Sequence, residues 1–426
     1  MFKKVVRKRL EKYARKYLKK HNPTLVVVVG SVGKTTTKSA IATVLRDCGM
    51  NVRMSDKNYN ADMSVPLALM GIDYPEDSVH SLKSWLEVFK EMRKRIKNDK
   101  TPDVIIQELG TDHPGEIPHF GEYIHATLAV VTAISPEHME YFKTMDNVAK
   151  EELYVAEFAD MTIVNAEDIP AEYLENRYVM YGYNKYVDYR FTSEKHTPLA
   201  GYEGVLSSKD LGKIKVKIPA IGEPQLKSAL AAAVIATKLE IDTDKVVSAL
   251  EKLQTVSGRM QGLEGKNDTI LIDDTYNSSP LAAKAALDTL YEIKAPQHIA
   301  VLGSMNELGD TSEESHEELG KYCDPKKLDL VVTIGEDARL YLAPAAKKNG
   351  CRVKTFRHPK HAGEFVEENA EKGAAILFKG SQNGVYAEEA LKVMLRDEKD
   401  IKKLVRQSKL WMNKKRDCFR KEKTSK

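Results

Sequence analysis

Cysteine is scarce: 426 residues contain four, and Cys48, Cys323, Cys351 and Cys418 are scattered with no C-x-x-C or Cys/His spacing. That pattern excludes a disulfide framework and a cysteine-based zinc site, and it suits a reducing cytoplasm. Long apolar runs are missing as well. Nothing approaches the roughly 18 consecutive apolar residues of a membrane span. The apolar stretch 25–29 behind the basic start is too short for the core of a secretion signal. Low-complexity tracts are absent, so 42% apolar and 30% charged residues describe a globular chain long enough for two or three domains.

Positive charge is abundant, and it sits at the ends. Residues 1–22 carry ten Lys/Arg against Glu11 alone, and residues 401–426 carry eleven against Asp417 and Glu422. With a formal net charge of +4, two ends of +9 each leave the body at −14. In the first arm Phe2, Val6, Leu10, Tyr13 and Tyr17 fall at helical spacing, with Lys and Arg on the other faces. This reads as an interfacial helix drawn to an anionic membrane surface, as a nucleic-acid contact, or as a helix packing its stripe on the body. Nucleic acid ranks last among these partners. The final stretch, with Leu404, Leu410, Trp411 and Phe419 among its charges, poses the same choice.

The stretch VVVVGSVGKTTT, residues 26–37, carries the most chemistry. A continuous apolar run reads as a buried parallel strand, a short glycine loop follows, and Lys-Thr-Thr opens a helix. Gly30, Ser31, Val32, Gly33, Lys34, Thr35 and Thr36 therefore form the expected phosphate cradle of a nucleoside triphosphate site. Its glycines admit backbone N–H groups to the phosphates, Lys34 brings an ammonium to the β/γ oxygens, and Thr35 offers a hydroxyl to Mg²⁺. The general pattern GxxxxGK[ST] has glycine where Val28 stands here.

Further along, the chain reads as helix 37–46, strand 52–55, a polar turn at Asn58-Tyr59-Asn60, helix 85–96 and strand 104–109. Glu108 ends that strand, where a carboxylate in a phosphate-loop protein is a natural Mg²⁺ ligand. His113 follows in a turn, and His138 lies beyond the tip of strand 128–134. A helix is expected at 146–159, a strand at 161–165, short strands with turns at Gly182 and Gly204 over 178–217, and helices at 226–239 and 243–253. Val256-Ser257-Gly258-Arg259 reads as a hinge. Strands at 269–273, 298–303, 330–335, 352–356 and 374–379 then alternate with helices, the pattern of a doubly wound parallel sheet. Asp274, Tyr276, Asn277, Gly303, Glu307, Gly335 and Lys379 fall at its ligand-binding edge.

Together, GSVGKTTTK, NYNADMSVPLALM, ELGTDHPGEI, ISPEHMEYF, GRM, DDTYNSSP, LGSMNELG with a later His316, and LFKGS resemble the Mur ligases. The likeness runs from about residue 24 to residue 390. It is greatest to the branch that adds D-alanyl-D-alanine to a UDP-linked tripeptide. The resemblance accounts for Val28, since the family loop is a shorter GxxGKTT form. It implies an α/β protein with a P-loop central ATPase domain on a parallel sheet, followed by a Rossmann-like doubly wound domain. The corresponding bounds are a basic helix at 1–22, a central domain at 23–257, a C-terminal domain at 258–396 and a basic tail at 397–426.

The implied activity is ATP-dependent, ADP-forming ligation of a carboxylate to an amine through an acyl phosphate. The acceptor would be a peptide or nucleotide-linked peptide, and the amine an amino acid or dipeptide. By resemblance Thr35, Glu108 and His138 hold Mg²⁺, Arg259, Asp274 and Asn277 contact the nucleotide, and Asn58, Asn60, His113, Lys379 and Ser381 serve the substrates. Lys34, His138 and Glu152 form the implied catalytic set.

Several positions depart from the family pattern. Ala133 stands where the family has asparagine, and the adenine-side GxHNxxNA motif reads Gly222-Glu223-Pro224-Gln225-Leu226-Lys227-Ser228-Ala229. Gln382 replaces the arginine after Lys379-Gly380-Ser381. Many members place a carbamylated lysine where ungapped counting from His138 puts Glu152, with Lys150 two residues earlier. Two helical residues rotate a side chain by about 200°, which favours Glu152 as a built-in carboxylate ligand. Ordinary members also begin with a domain that grips the uridine nucleotide, whereas a basic helix precedes the loop here. Either another protein supplies that grip or the acceptor is not a soluble UDP-sugar, and a lipid-linked acceptor at the inner membrane face would meet the second case. The competing expectations are a ligase for a poly-glutamate or folate-type substrate and a non-catalytic nucleotide-binding partner protein.

Overall fold

The computed structural model describes residues 2–55, 57, 59–75, 82–98 and 100–424, with side chains as far as residue 419. Its first sheet contains β1 (Thr24–Val29), β2 (Val52–Met54), β3 (Val104–Glu108), β4 (Ala126–Val131), β5 (Ala159–Asn165), β6 (Val179–Gly182), β7 (Tyr189–Thr197), β8 (Gly201–Ser208) and β9 (Gly212–Ile218). They lie in the order β2-β3-β1-β4-β5-β6-β7-β8-β9, parallel as far as β7 and antiparallel through β8 and β9. The apolar run in β1 is explained by helices on both faces. Leu25, Val27 and Val29 enter one core and Val26 and Val28 the other. Because β3 and β4 flank β1, the strand order reverses there, and the crevice at its carboxyl end is the natural ligand site.

A second sheet contains β10 (Gln261–Glu264), β11 (Ile270–Asp274), β12 (His298–Gly303), β13 (Leu330–Ile334), β14 (Val353–Phe356) and β15 (Ala375–Lys379). Its order is β10-β11-β15-β12-β13-β14, parallel except for β10. The register sets Asp274 opposite Lys379, so the ion pair between them follows from strand pairing. Apolar cores again cover both faces. This is a P-loop central unit followed by a Rossmann-like unit.

Three local expectations change. Gly204 lies inside β8 and makes no turn: a β-carbon there would collide with the Thr192 carbonyl, so the glycine permits close backbone approach. The 146–159 helix ends earlier, as helix Met145–Leu153 and a 3₁₀ turn Tyr154–Phe158, because β5 already begins at Ala159. The 226–239 helix begins earlier, at Glu223, with Pro224 in its first turn, where the missing N–H has no intrahelical partner to lose.

The basic N-terminal segment is one helix, Phe2–His21, whose Val6, Leu10, Ala14 and Tyr17 are buried in the same core as β1. Phe2 is 44% exposed and Tyr13 only partly buried, so the stripe runs through Ala14 instead. The apolar face thus packs on the body against helix Leu82–Asn98 and is not presented to lipid. At the other end, Leu404, Arg406 and Lys415 are buried and helix Lys409–Thr424 rests on the second unit, with Phe419 against His358.

Candidate functional site

The loop after β1 is shaped by two glycines. Gly30 (φ 119°) lies so close to the end of β4 that a β-carbon would collide with Thr132 Oγ1 and sit 2.8 Å from Thr132 N. Gly33 (φ 89°) opens helix Lys34–Asp47 in the left-handed region. The loop is tied down by Ser31 N donating to the Ala133 carbonyl (2.9 Å), Ser135 N donating to Ser31 Oγ (2.9 Å) and Thr132 Oγ1 donating to the Val32 carbonyl (2.6 Å).

Lys34 Nζ donates to the Gly30 carbonyl and lies 3.7 Å from Glu137 Oε2. Burial disfavours its charge, but Glu137, Glu152 and Glu108 prevail and hold its pKa above the ordinary lysine value. Thr35 Oγ1 donates to Glu108 Oε2 (3.1 Å), and Lys38 Nζ lies 3.2 Å from the same oxygen. Asn60 Nδ2 donates to the other oxygen at 3.3 Å.

Glu152 is fully buried, and its Oε2 accepts the Gly30 N–H at 2.7 Å. Burial, together with neighbouring Glu137, pushes its pKa well above the usual carboxylate range. Its Oε1 and the Oε1 of Glu137 are buried with no hydrogen-bond partner. Lys150 is exposed, as the rotation argument requires. Glu151 caps a different turn, accepting from Gly115 N and Ile117 N.

His138 adopts a left-handed backbone (φ 46°), with Nε2 3.4 Å from Asp112 Oδ1 and Nδ1 3.9 Å from Glu307 Oε2 of the second unit. His113 packs its ring 4.1 Å from Tyr141. Asn58 lies outside the described residues. No cluster of three or more His, Cys, Asp or Glu side chains suited to a metal occurs among the described residues. Mg²⁺ does not require one, because it keeps several waters and takes one or two carboxylates plus phosphate oxygens. Thr35 beside Glu108, with two partnerless carboxylate oxygens behind Lys34, fits that ion.

Across the crevice the Arg259 guanidinium stacks 4.1 Å over the Tyr276 ring, and its buried Nε has no partner. Asp274 Oδ1 accepts from Met260 N (3.2 Å), while its Oδ2 pairs with Lys379 Nζ (2.5 Å). Lys379 also donates to the Asn277 carbonyl (3.0 Å), and its burial lowers its pKa despite Asp274. Ser381 Oγ accepts from Asn306 N at 2.9 Å. Lys379 and Ser381 therefore spend these contacts holding the strand-tip loops together.

Three cavities meet here. One of about 360 Å³ is lined by Gly33, Thr36, Asp168, Lys227, Arg259 and Asp274. A second, of about 260 Å³, contains Lys34, Thr35, Glu108, His138, Tyr276 and Gln382. The third, about 490 Å³, shares Asn60, Gly110 and Asp112 with the second and reaches Arg7 of the N-terminal helix.

Sequence reasoning missed several contributors. Glu137 stands beside His138 in the quoted motif, and Lys38 is one helical turn beyond Lys34, so both had a local signal. In the Asn165–Asp168–Lys227 network the 2.7 Å Asn165–Asp168 contact spans only three residues, but the 2.8 Å contact that brings Lys227 to Asp168 joins residues 59 apart and had no local signal. Gln225, noted only as a departure, donates from Nε2 to the Arg259 (2.7 Å) and Met260 (2.9 Å) carbonyls and accepts from Ile221 N (2.8 Å).

Comparison with known proteins gives a consistent result. The profile of the Mur ligase middle domain matches residues 28–236, and that of the Mur ligase, glutamate ligase domain matches residues 258–382. The UDP-N-acetylmuramoyl-tripeptide--D-alanyl-D-alanine ligase of Haemophilus influenzae is 30% identical over 329 residues, covering 75% of this chain and 65% of that protein. The Bacillus subtilis enzyme of the same name is 27% identical over 401 residues, covering 91% of this chain and 79% of its own length. Among solved structures, the MurF ligase of Thermotoga maritima in complex with ADP superposes with a TM-score of 0.73 at 23% identity, covering 93% of this chain and 84% of that one.

Proposed function

This chain belongs to the Mur ligase family, and from that premise we propose that it is an ATP-dependent carboxylate–amine ligase acting in cell-wall peptide assembly. The observation that carries the reading is convergence: the phosphate loop with Lys34, the Thr35–Glu108 pair and Arg259 of the second unit all line one crevice. A carboxylate is a poor electrophile because its leaving group would be oxide. One carboxylate oxygen takes the γ-phosphoryl group of ATP and ADP departs. The amine nitrogen then attacks the acyl carbon, the C–O bond to phosphate breaks, and the nitrogen gives up a proton.

Phosphoryl transfer needs positioning and charge neutralisation. Lys34 and the loop N–H groups meet the phosphates from one side and Arg259 from the other. Mg²⁺, when bound, neutralises the phosphate oxygens, and Thr35 and Glu108 with Glu152 and His138 would hold it. Asn60 borders the acceptor side together with Asp112 and Pro114, the neighbours of His113. By analogy with the relatives' names, the acceptor is a nucleotide-linked peptide and the amine a D-alanyl-D-alanine-like dipeptide.

No helix among the described residues is long and apolar enough to cross a membrane. We place the protein in the cytoplasm and propose that any hold on the anionic inner membrane face is electrostatic, because the N-terminal stripe is buried. Salt-insensitive or absent co-sedimentation with anionic vesicles overturns that part.

The central test is phosphate release from ATP with a panel of peptide carboxylates and amines. Release stimulated by a peptide–dipeptide pair and abolished in Lys34→Ala supports the ligase. Stimulation by glutamate in place of the dipeptide selects the poly-glutamate or folate-type alternative, and no calorimetric binding of Mg-ATP overturns both.

A further inference from the structure

We infer that residues 404–415 form a strap that sets the position of Arg259 and Tyr276, with Arg406 as its positioning residue. This segment lies beyond both matched family stretches, the second of which ends at residue 382. The pairing of β11 with β15 runs out at Asp274 opposite Lys379, so the carbonyls of Thr275 and Tyr276 have no strand partner. Arg406 supplies one to each: Nη1 donates to Tyr276 O at 2.9 Å and Nη2 to Thr275 O at 2.5 Å.

Its own placement is over-determined. Nε and Nη2 fork onto the two oxygens of fully buried Glu388 at 2.8 and 2.6 Å. Buried Lys415 closes the network on Glu388 (2.8 Å) and Glu389 (2.6 Å). Arg406 itself has a left-handed backbone (φ 55°), a conformation that persists in a bulky residue only where its surroundings enforce it.

The strap also touches the hinge. A β-carbon on Gly258 (φ 68°) would lie 2.7 Å from Val405 Cγ1 and 3.1 Å from Tyr276 N, and Tyr276 N donates to Gly258 O at 3.0 Å. Gly258, the backbone of Tyr276 and the Val405-Arg406 corner are thus in mutual contact. Tyr276 has the strap behind it and the Arg259 guanidinium on its face. A small shift of residues 275–276 would carry the guanidinium with it.

This inference rests on the reading of the crevice as an ATP site, and its test separates the two. In the full-length chain, Arg406→Lys keeps the charge but cannot fork onto two carbonyls. We expect faster amide exchange in peptides covering 258–260 and 275–278, and about a tenfold rise in the Kd for Mg-ATP, the order of one charge-assisted hydrogen bond. Because Arg406 acts through Tyr276, the double variant with Tyr276→Ala should bind no more weakly than Tyr276→Ala alone. Unchanged exchange overturns the inference, as do additive losses or a lowered Tm with an unaltered Kd. If the wild-type protein binds no Mg-ATP, the functional reading fails and the exchange arm alone decides the strap. If Arg406→Lys does not fold, Val405→Ala takes its place with the same readouts, since it loosens the hinge contact without unpairing a buried charge.

Discussion

Glu152 holds a carboxylate where charge is hardest to keep: fully buried, beside Glu137, with one oxygen on Gly30 N and the other without a partner. A buried acceptor lacking a donor is costly unless a cation meets it. Glu152→Gln keeps an oxygen for Gly30 N and loses the charge, so the Mg²⁺ concentration for half-maximal ATP turnover should rise about tenfold, the effect of one missing favourable ionic contact. Depleting bicarbonate should leave wild-type turnover unchanged, since the carboxylate is built in. Turnover that recovers only when bicarbonate is restored would refute this role. Asp273 is likewise fully buried. Burial pushes its pKa up to about 6, against hydrogen bonds from Thr275. The unfolded value is about 3.9, so between the two the folded state binds the extra proton. Its contribution to stability therefore falls as pH rises from about 4 through 6, and the penalty is complete above that. Asp273→Asn should stabilise the protein by roughly 1–3 kcal/mol at pH 7.5 and by much less at pH 4.5, as read from urea unfolding at the two values.

Among the elements, the N-terminal helix tests how far pattern alone can be read. Val6, Leu10 and Tyr17 of its stripe were legible, because periodicity shows the apolar face, while Ala14 takes the buried place expected of Tyr13 and Phe2 is exposed. What covers that face was not, since helix Leu82–Asn98 and the β1 core reach it through the tertiary fold. Leu10 is fully buried there, so Leu10→Ala should cost about 2–4 kcal/mol of unfolding free energy, measurable by urea denaturation. A helix held only by its charges would lose almost nothing. The same division runs through the rest of the chain. The phosphate loop was readable because strand, glycines, lysine and helix are consecutive, and the second sheet because its strands alternate regularly with helices. Gly204 misled because a glycine at a crowded strand crossing and a glycine in a turn look alike in sequence. Lys379 was placed at a strand tip correctly, but the register that turns its ammonium onto Asp274 belongs to a pairing of residues 105 apart.

At the scale of the whole molecule, the question is what holds two α/β units around one crevice. His138 and Glu307 approach only to 3.9 Å, and Gly309 meets the Glu140 backbone closely, a β-carbon there lying 3.2 Å from Glu140 N. Glu307 in the first contact and both Gly309 and Glu140 in the second are exposed. Gln225 is different: from the first helical turn after the first sheet it reaches the carbonyls of Arg259 and Met260, the residues that lead into the second sheet, and it is mostly buried. Gln225→Ala leaves those two carbonyls and Ile221 N without the partner they share, a loss of about 1–3 kcal/mol, and frees the connection about which the units would rotate. The nucleotide-free variant should therefore have a larger radius of gyration by solution scattering than the wild type. Mg-ATP should restore the wild-type value, because Lys34 on one unit and Arg259 on the other would grip the same phosphates. If the variant is already as compact as the wild type without nucleotide, the remaining contacts between the units, His196 with Glu292 and Gly222 against Thr289 among them, hold them together rather than Gln225. If it opens and Mg-ATP fails to close it, Arg259 does not reach the phosphates from across the crevice.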